Sequence, residues 1–167
     1  MHLALTDLFR ARWTRLIHEE WMRALLVNRP DLTRAQLERT RHLMDAHARD
    51  ALIHDFEDLI PSLSLPDPND RHVLAAAIRG RADVIVTYNT RDFPPAAVGA
   101  YGIDVQHPDE FLTHVLDIAP GTVLAALQRL RQSLRNPSIP ADQYLSRLEQ
   151  HGLASFVAKL KEFEALL

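Results

Sequence analysis

Residues 65–95 read LPDPNDRHVLAAAIRGRADVIVTYNTRDFPP, and their order decides what kind of fold the chain can adopt. PDPND is punctuation, and Asp67 or Asn69 is placed to cap a helix running from about Asp70 to Arg79. Gly80 stands where a C-cap glycine is expected. ADVIVTYN then reads as a strand, and its near-continuous Val/Ile run predicts burial on both faces. The strand gives way to Thr87, Asn89 and Asp92, so acids open the helix and another acid follows the strand.

Downstream, GIDVQHP reads as a second short strand and PDEFLTHVL as the start of another helix. Upstream, residues 16–27 form a helical pattern that stops before Pro30, and Thr33 is a candidate N-cap for a helix striped by Leu37, Leu43 and Met44. Residues 3–9 are apolar at helical spacing, with Thr6 and Asp7 on the exposed side, while 12–14 read as a break or short strand. Residues 51–56 carry a weak strand pattern. Helix, strand, loop and strand at these lengths imply an α/β fold, a parallel sheet with helices on both faces. From about Thr122 the pattern is helical only, broken at a Pro-bounded turn and at Gly152, so the expected division is an α/β domain over 1–118 and a helical extension over 119–167.

The 167 residues are enough for a substantial core, and 47% hydrophobic with 25% charged residues is ordinary for a soluble globular protein. A formal net charge of −3 excludes a bulk polycation. Lys159 and Lys161 are the only lysines, so nearly all positive charge is Arg, the better fork for phosphate oxygens. With no Cys, disulfides and thiolate metal sites are excluded, and a reducing cytoplasm is compatible. No apolar run reaches the length of a membrane span, and the N-terminus lacks a secretory pattern. None of the five glycines forms a phosphate-binding loop, which argues against a nucleotide-binding enzyme.

In a doubly wound sheet, ligands sit outside the carboxyl ends of the strands. Asp92, with Thr87 and Asn89 beside it, follows such an end, and Asp70 converges on it if the segment before Asp70 leaves the sheet near its carboxyl edge. Converging carboxylates repel, raise one another's pKa and are normally held together by a hard divalent cation. Mg²⁺ or Mn²⁺ held by Asp, Asn and water is an apparatus for phosphodiester hydrolysis. Each acid also has a structural reading: helix capping for Asp67 and Asp70, a turn before Phe93-Pro94 for Asp92, and a solvated Glu beside Arg23 for Glu20. His18 and His72 lie near these acids in sequence and are read as surface or packing residues.

Asp70-x-x-Val-Leu-Ala-Ala-Ala, followed by Ala82-Asp83-Val-Ile-Val-Thr87-x-Asn89-x-x-Asp92-Phe93-Pro94, resembles the second half of a PIN domain of the VapC-type toxin ribonucleases. NPSIPADQYLSRLEQHGLASFVAKL is similar to the C-terminal extension of a longer VapC-like subgroup. The resemblance implies a three-layer parallel sheet and a metal-dependent endoribonuclease toxin using Mg²⁺ or Mn²⁺. It also implies an RNA substrate, a cognate antitoxin, a homodimer, no membrane and a cytoplasmic location. It assigns metal binding to Glu20, Asp70, Asn89 and Asp92 and catalysis to Glu20, Asp70 and Asp92, with Asp67 and Thr87 supporting. Glu20 fits the early acid better than Glu19, because Ala24 and Leu25 then fall at the family's apolar spacing. Arg10, Arg12, Arg15 and Arg91 are candidate phosphate contacts, each equally readable as a solvated residue.

The family opens with a strand ending in Asp, and this chain shows no counterpart; residues 1–7 resemble the second half of the family's first helix. The expectations are a chain short of a longer functional protein, a rearrangement or pairing that fills the gap, or a member that has lost a ligand. A non-catalytic PIN-like scaffold that binds antitoxin or RNA without cutting is therefore the alternative function.

Overall fold

The computed structural model describes residues 2–48, 50–134 and 139–163. They fall into two compact units, one of Arg10–Ile85 with Asn89–Val105, the other of Met1–Phe9, Val86–Tyr88 and Gln106–Leu167.

In the first unit, the hydroxyl of Thr14 accepts from the Ile17 N–H at 3.1 Å and starts α1 (Arg15–Asn28). Thr33 and Gln36 form a reciprocal capping box at the start of α2 (Arg34–His47), which satisfies two otherwise orphan donors. A polar relay ties the two helices together. The Trp21 indole N–H donates to His18 Nδ1 at 2.9 Å, which leaves Nε2–H to donate to Asp45 Oδ1 of α2 at 3.0 Å. Asp45 Oδ1 also accepts from the Trp13 indole at 2.8 Å. Trp13 in turn forms an isolated parallel bridge with Leu52.

A 3-10 turn at Pro68–Asp70 leads into α3 (Arg71–Arg79). His72, Leu74, Ala75, Ala76 and Ala77 of α3 are buried, and they pack with Phe56, Leu63, Ile85, Phe93 and Ile103 in one apolar cluster. Small alanines let the helix backbone approach its neighbours closely. Strands β1 (Val84–Val86) and β2 (Asp104–Gln106) pair as neighbours. The bonds from Asp104 N–H to Asp83 C=O and from Thr87 N–H to Gln106 C=O step along the two strands in the same direction, the slanted pattern of a parallel pair. Between them lies the short α4 (Pro95–Val98).

The second unit is helical: α5 (Pro108–Ile118), α6 (Pro120–Ser133), α7 (Ala141–Gln150) and α8 (Ala154–Lys161). Its core gathers Leu116, Val123, Leu145, Phe156, Val157 and Leu160, with Leu3, Leu8 and Phe9 packed against it. Asp109 of α5 caps α8 from outside, accepting from Ser155 N–H at 3.0 Å and Phe156 N–H at 2.8 Å. Gly152, at φ 79°, supplies the left-handed turn between α7 and α8. Among the described residues, no single helix is long and apolar enough to cross a membrane.

The α/β class and most helix positions agree with the sequence reading, and several details do not. Residues 3–9 are not a continued helix: a 3-10 turn covers His2–Leu5, and Asp7 at φ 58° cannot extend it. The Val/Ile strand is not buried on both faces, since Ile85 is 5% and Val86 43% exposed. Residues 51–56 pair only through the Leu52 bridge. On α2 only Leu37 of the proposed stripe is buried, and Leu43 faces solvent. Gly80 is the C-cap of α3 but keeps φ −78°, and the left-handed residue is Arg81. A Cβ at Gly80 would lie 3.0 Å from the Ala76 carbonyl oxygen and 3.1 Å from Ile53 Cδ1. Space, not dihedral freedom, favours glycine there.

Candidate metal centre

Asp67 begins the turn into α3, and its Oδ1 accepts from the Asn69 N–H at 2.8 Å. Asp70 ends that turn, yet its side chain caps nothing. The capping reading therefore holds for Asp67 and fails for Asp70. Asp92 closes a 3-10 turn at Thr90–Asp92 and accepts a hydrogen bond from the Asn89 side-chain amide.

Asp67, Asp70 and Asp92 converge: one carboxylate oxygen from each lies within 4.8 Å of the others, and all three are half-buried. Burial, a hydrogen bond to Asp92 and the negative charges of Asp92, Asp67 and Glu20 push the Asp70 pKa up to about 6. Among the described residues, none of the three acids is in an ion pair with Lys or Arg. Oxygen-only donors with excess negative charge suit a hard divalent cation of the Mg²⁺ or Mn²⁺ type.

Adjacent residues on α1 have different fates. Glu19 turns to α2 and pairs with Arg34 at 2.8 Å. Glu20 turns to α3, where its Oε1 accepts from His72 Nε2 at 2.8 Å, and its charge reaches Asp70. Thr87 belongs to the other compact unit, where its backbone N–H bonds the Gln106 carbonyl. Neither histidine near the acids is a surface residue. His18 is 1% and His72 7% exposed, and each bonds a carboxylate. The signal for His72 was present: His72, Ala75 and Ala76 lie at i, i+3 and i+4 on one face, the apolar one.

A family model described as PIN domain matches residues 1–91, more than half of the chain. The chain belongs to the PIN-domain family. A second model, described as VapC50 C-terminal domain, matches residues 108–162 of this PIN-domain protein, so the helical part follows a VapC-type arrangement. The chain is 35% identical over 111 residues to the protein named "Putative ribonuclease VapC50" of Mycobacterium tuberculosis (strain ATCC 25618 / H37Rv). The alignment covers 66% of this PIN-domain chain and spans 64% of that relative's length. No solved structure gives a significant match.

Proposed function

We propose that this PIN-domain chain is a metal-dependent endoribonuclease of the VapC toxin type. The observation that carries this reading is the convergence of Asp67, Asp70 and Asp92 with one carboxyl held protonated to about pH 6. Such a group is unfavourable alone and favourable around a divalent cation. Asp70 and Asp92 are the direct ligands in this reading, with Glu20 and Asn89 completing the set. Asp67 supports from its cap position.

When bound, Mg²⁺ or Mn²⁺ supplies Lewis-acid chemistry, activating water and offsetting phosphoryl charge. The chain's own residues do the rest. Asn89 fixes one Asp92 oxygen through its amide. Asp70 releases its proton as the site loads. The Asp67 cap fixes the turn that carries Asp70, whose own side chain caps nothing and is available to the site. The substrate is RNA and the partner a cognate antitoxin, as the VapC relationship suggests, and a cytoplasmic location and a homodimer belong to the same reading. The proposed domains are PIN-like over 1–118 and a helical extension over 119–167.

The test is cleavage of structured RNA by the chain and by Asp70→Asn, with Mn²⁺, with Mg²⁺ and with EDTA. Metal-dependent cleavage lost in the variant supports the enzyme. No cleavage by either, with metal binding intact, would leave the non-catalytic scaffold.

A further inference from the structure

His72 is buried on the inner face of α3, as are Leu74, Ala75 and Ala76 of the same helix. Its ring is polarised toward one partner: Nε2 is 2.8 Å from Glu20 Oε1, while buried Nδ1 has no hydrogen-bond partner among the described residues. These two facts set the tautomer. A carboxylate only accepts, so Nε2 carries the hydrogen, and a hydrogen on Nδ1 would be a buried donor with nothing to receive it.

Glu20 is the opposite kind of residue. Its side chain is 46% exposed, has three rotatable bonds and sits on a different helix from Asp70. Left alone it would spread over solvent-facing rotamers, and fixing it costs side-chain entropy. The His72 bond engages Oε1 and leaves Oε2 without a bond to the imidazole. Because His72 lies two residues after Asp70, one short segment carries both an acid of the cluster and the clamp on an acid from α1.

We propose that His72 is a positioning residue that holds Glu20 toward the Asp67–Asp70–Asp92 cluster as a further metal-binding carboxylate. This rests on the metal reading above. His72 does not touch the cation; it acts through Glu20, as outer residues that orient metal-binding carboxylates do. The charge of Glu20 is already felt at Asp70, consistent with this placement.

The experiment measures Mn²⁺ binding to the intact chain by loss of the free-ion EPR signal, with unfolding midpoints taken in EDTA. His72→Leu is expected to weaken Mn²⁺ binding about 10-fold while the EDTA midpoint stays level or rises, because an unpaired buried nitrogen is removed. His72→Gln, whose amide N–H can reach the same carboxylate, is expected to stay within about 3-fold of wild type. Combining His72→Leu with Glu20→Ala should add nothing to Glu20→Ala alone, the mark of residues acting as one unit. If His72→Leu does not fold, His72→Asn, polar but too short to reach Glu20, must show the same loss. Wild-type Mn²⁺ binding in His72→Leu or His72→Asn, with binding lost in Asp70→Asn, would overturn the role of His72 alone. Undiminished binding in Asp70→Asn would instead overturn the metal reading beneath it.

Discussion

Asp70 and Asp92 converge, a carboxylate oxygen of each within 4.8 Å of the other, one at the entrance to α3 and the other in the loop after β1. Two carboxylates that close repel, and a proton on Asp70 relieves the conflict. The fold therefore stores a like-charge conflict in the place where its family relationship predicts a cation, and the conflict has measurable consequences.

The first is a pH dependence of stability without metal. The pKa of Asp70 is raised in the fold to about 6, against about 3.9 for an unfolded Asp. Between these values the native state binds more protons than the unfolded state, so stability falls as pH rises from about 4 to above 6. Asp70 is only half-buried, and screening limits the effect to roughly 1 kcal/mol or less. Urea unfolding in EDTA across this range should show the decline, and Asp70→Asn should flatten it and be more stable at pH 7. An unchanged slope in the variant would assign the pH dependence elsewhere.

Adding metal should reverse the penalty. At about 100 times its dissociation constant, a ligand that binds only the folded state contributes about 2.7 kcal/mol, or roughly 5–10 °C in unfolding midpoint. Mn²⁺ at pH 7.5 is expected to produce such a rise, smaller at pH 5 because the Asp70 proton must leave. Asp92→Asn should abolish most of it. A wild-type midpoint indifferent to Mn²⁺ would rule out a specific site.

The relay between α1 and α2 yields a different prediction. Asp45 Oδ1 receives both the Trp13 indole N–H and the His18 Nε2–H, and those two partners are 7% and 1% exposed. Asp45→Ala orphans two buried donors and should cost about 2–4 kcal/mol, from about 1–3 per group with partial relaxation. Asp45→Asn keeps an acceptor oxygen and should cost less than half as much. Equal losses in chemical denaturation would mean that charge, not the acceptor, matters.

Asp109 is the cap that α8 lacks locally. Burial works against its charge, but the Phe156 and Ser155 N–H groups hold its pKa below the usual carboxylate value. A depressed carboxyl contributes stability that is present above the unfolded pKa near 4 and is lost as pH falls below it. Asp109→Ala should cost about 0.5–2 kcal/mol, the range of a lost N-cap, at pH 7 and much less near pH 3. Hydrogen exchange at Phe156 would locate the loss, and an equal cost at both pH values would argue for packing instead.

Much of this protein is local and was legible in order. Thr33 with Gln36, Pro108 at a helix start, Gly152 at a helix break and the apolar periods set the helices wherever they pack. The PDPND turn and the Thr87–Asp92 loop announced acids in the right places, because turns and caps depend on neighbours a few residues away. What the sequence could not decide was direction across space. Glu19 and Glu20 are adjacent on one helix, about 100° apart around its axis, and either could have faced α3; packing sent one to Arg34 and the other to His72. His18 and His72 read as unremarkable because a histidine's role depends on which carboxylate the fold brings to it. Asp109 could not be seen as a cap for α8, since its partners lie 46 and 47 residues away. The sequence by itself determined most of the helices and put acids in the turn before α3 and in the loop after β1; tertiary structure decided which acids meet, which are neutralised and which are left to conflict, because those outcomes depend on distances that only packing sets.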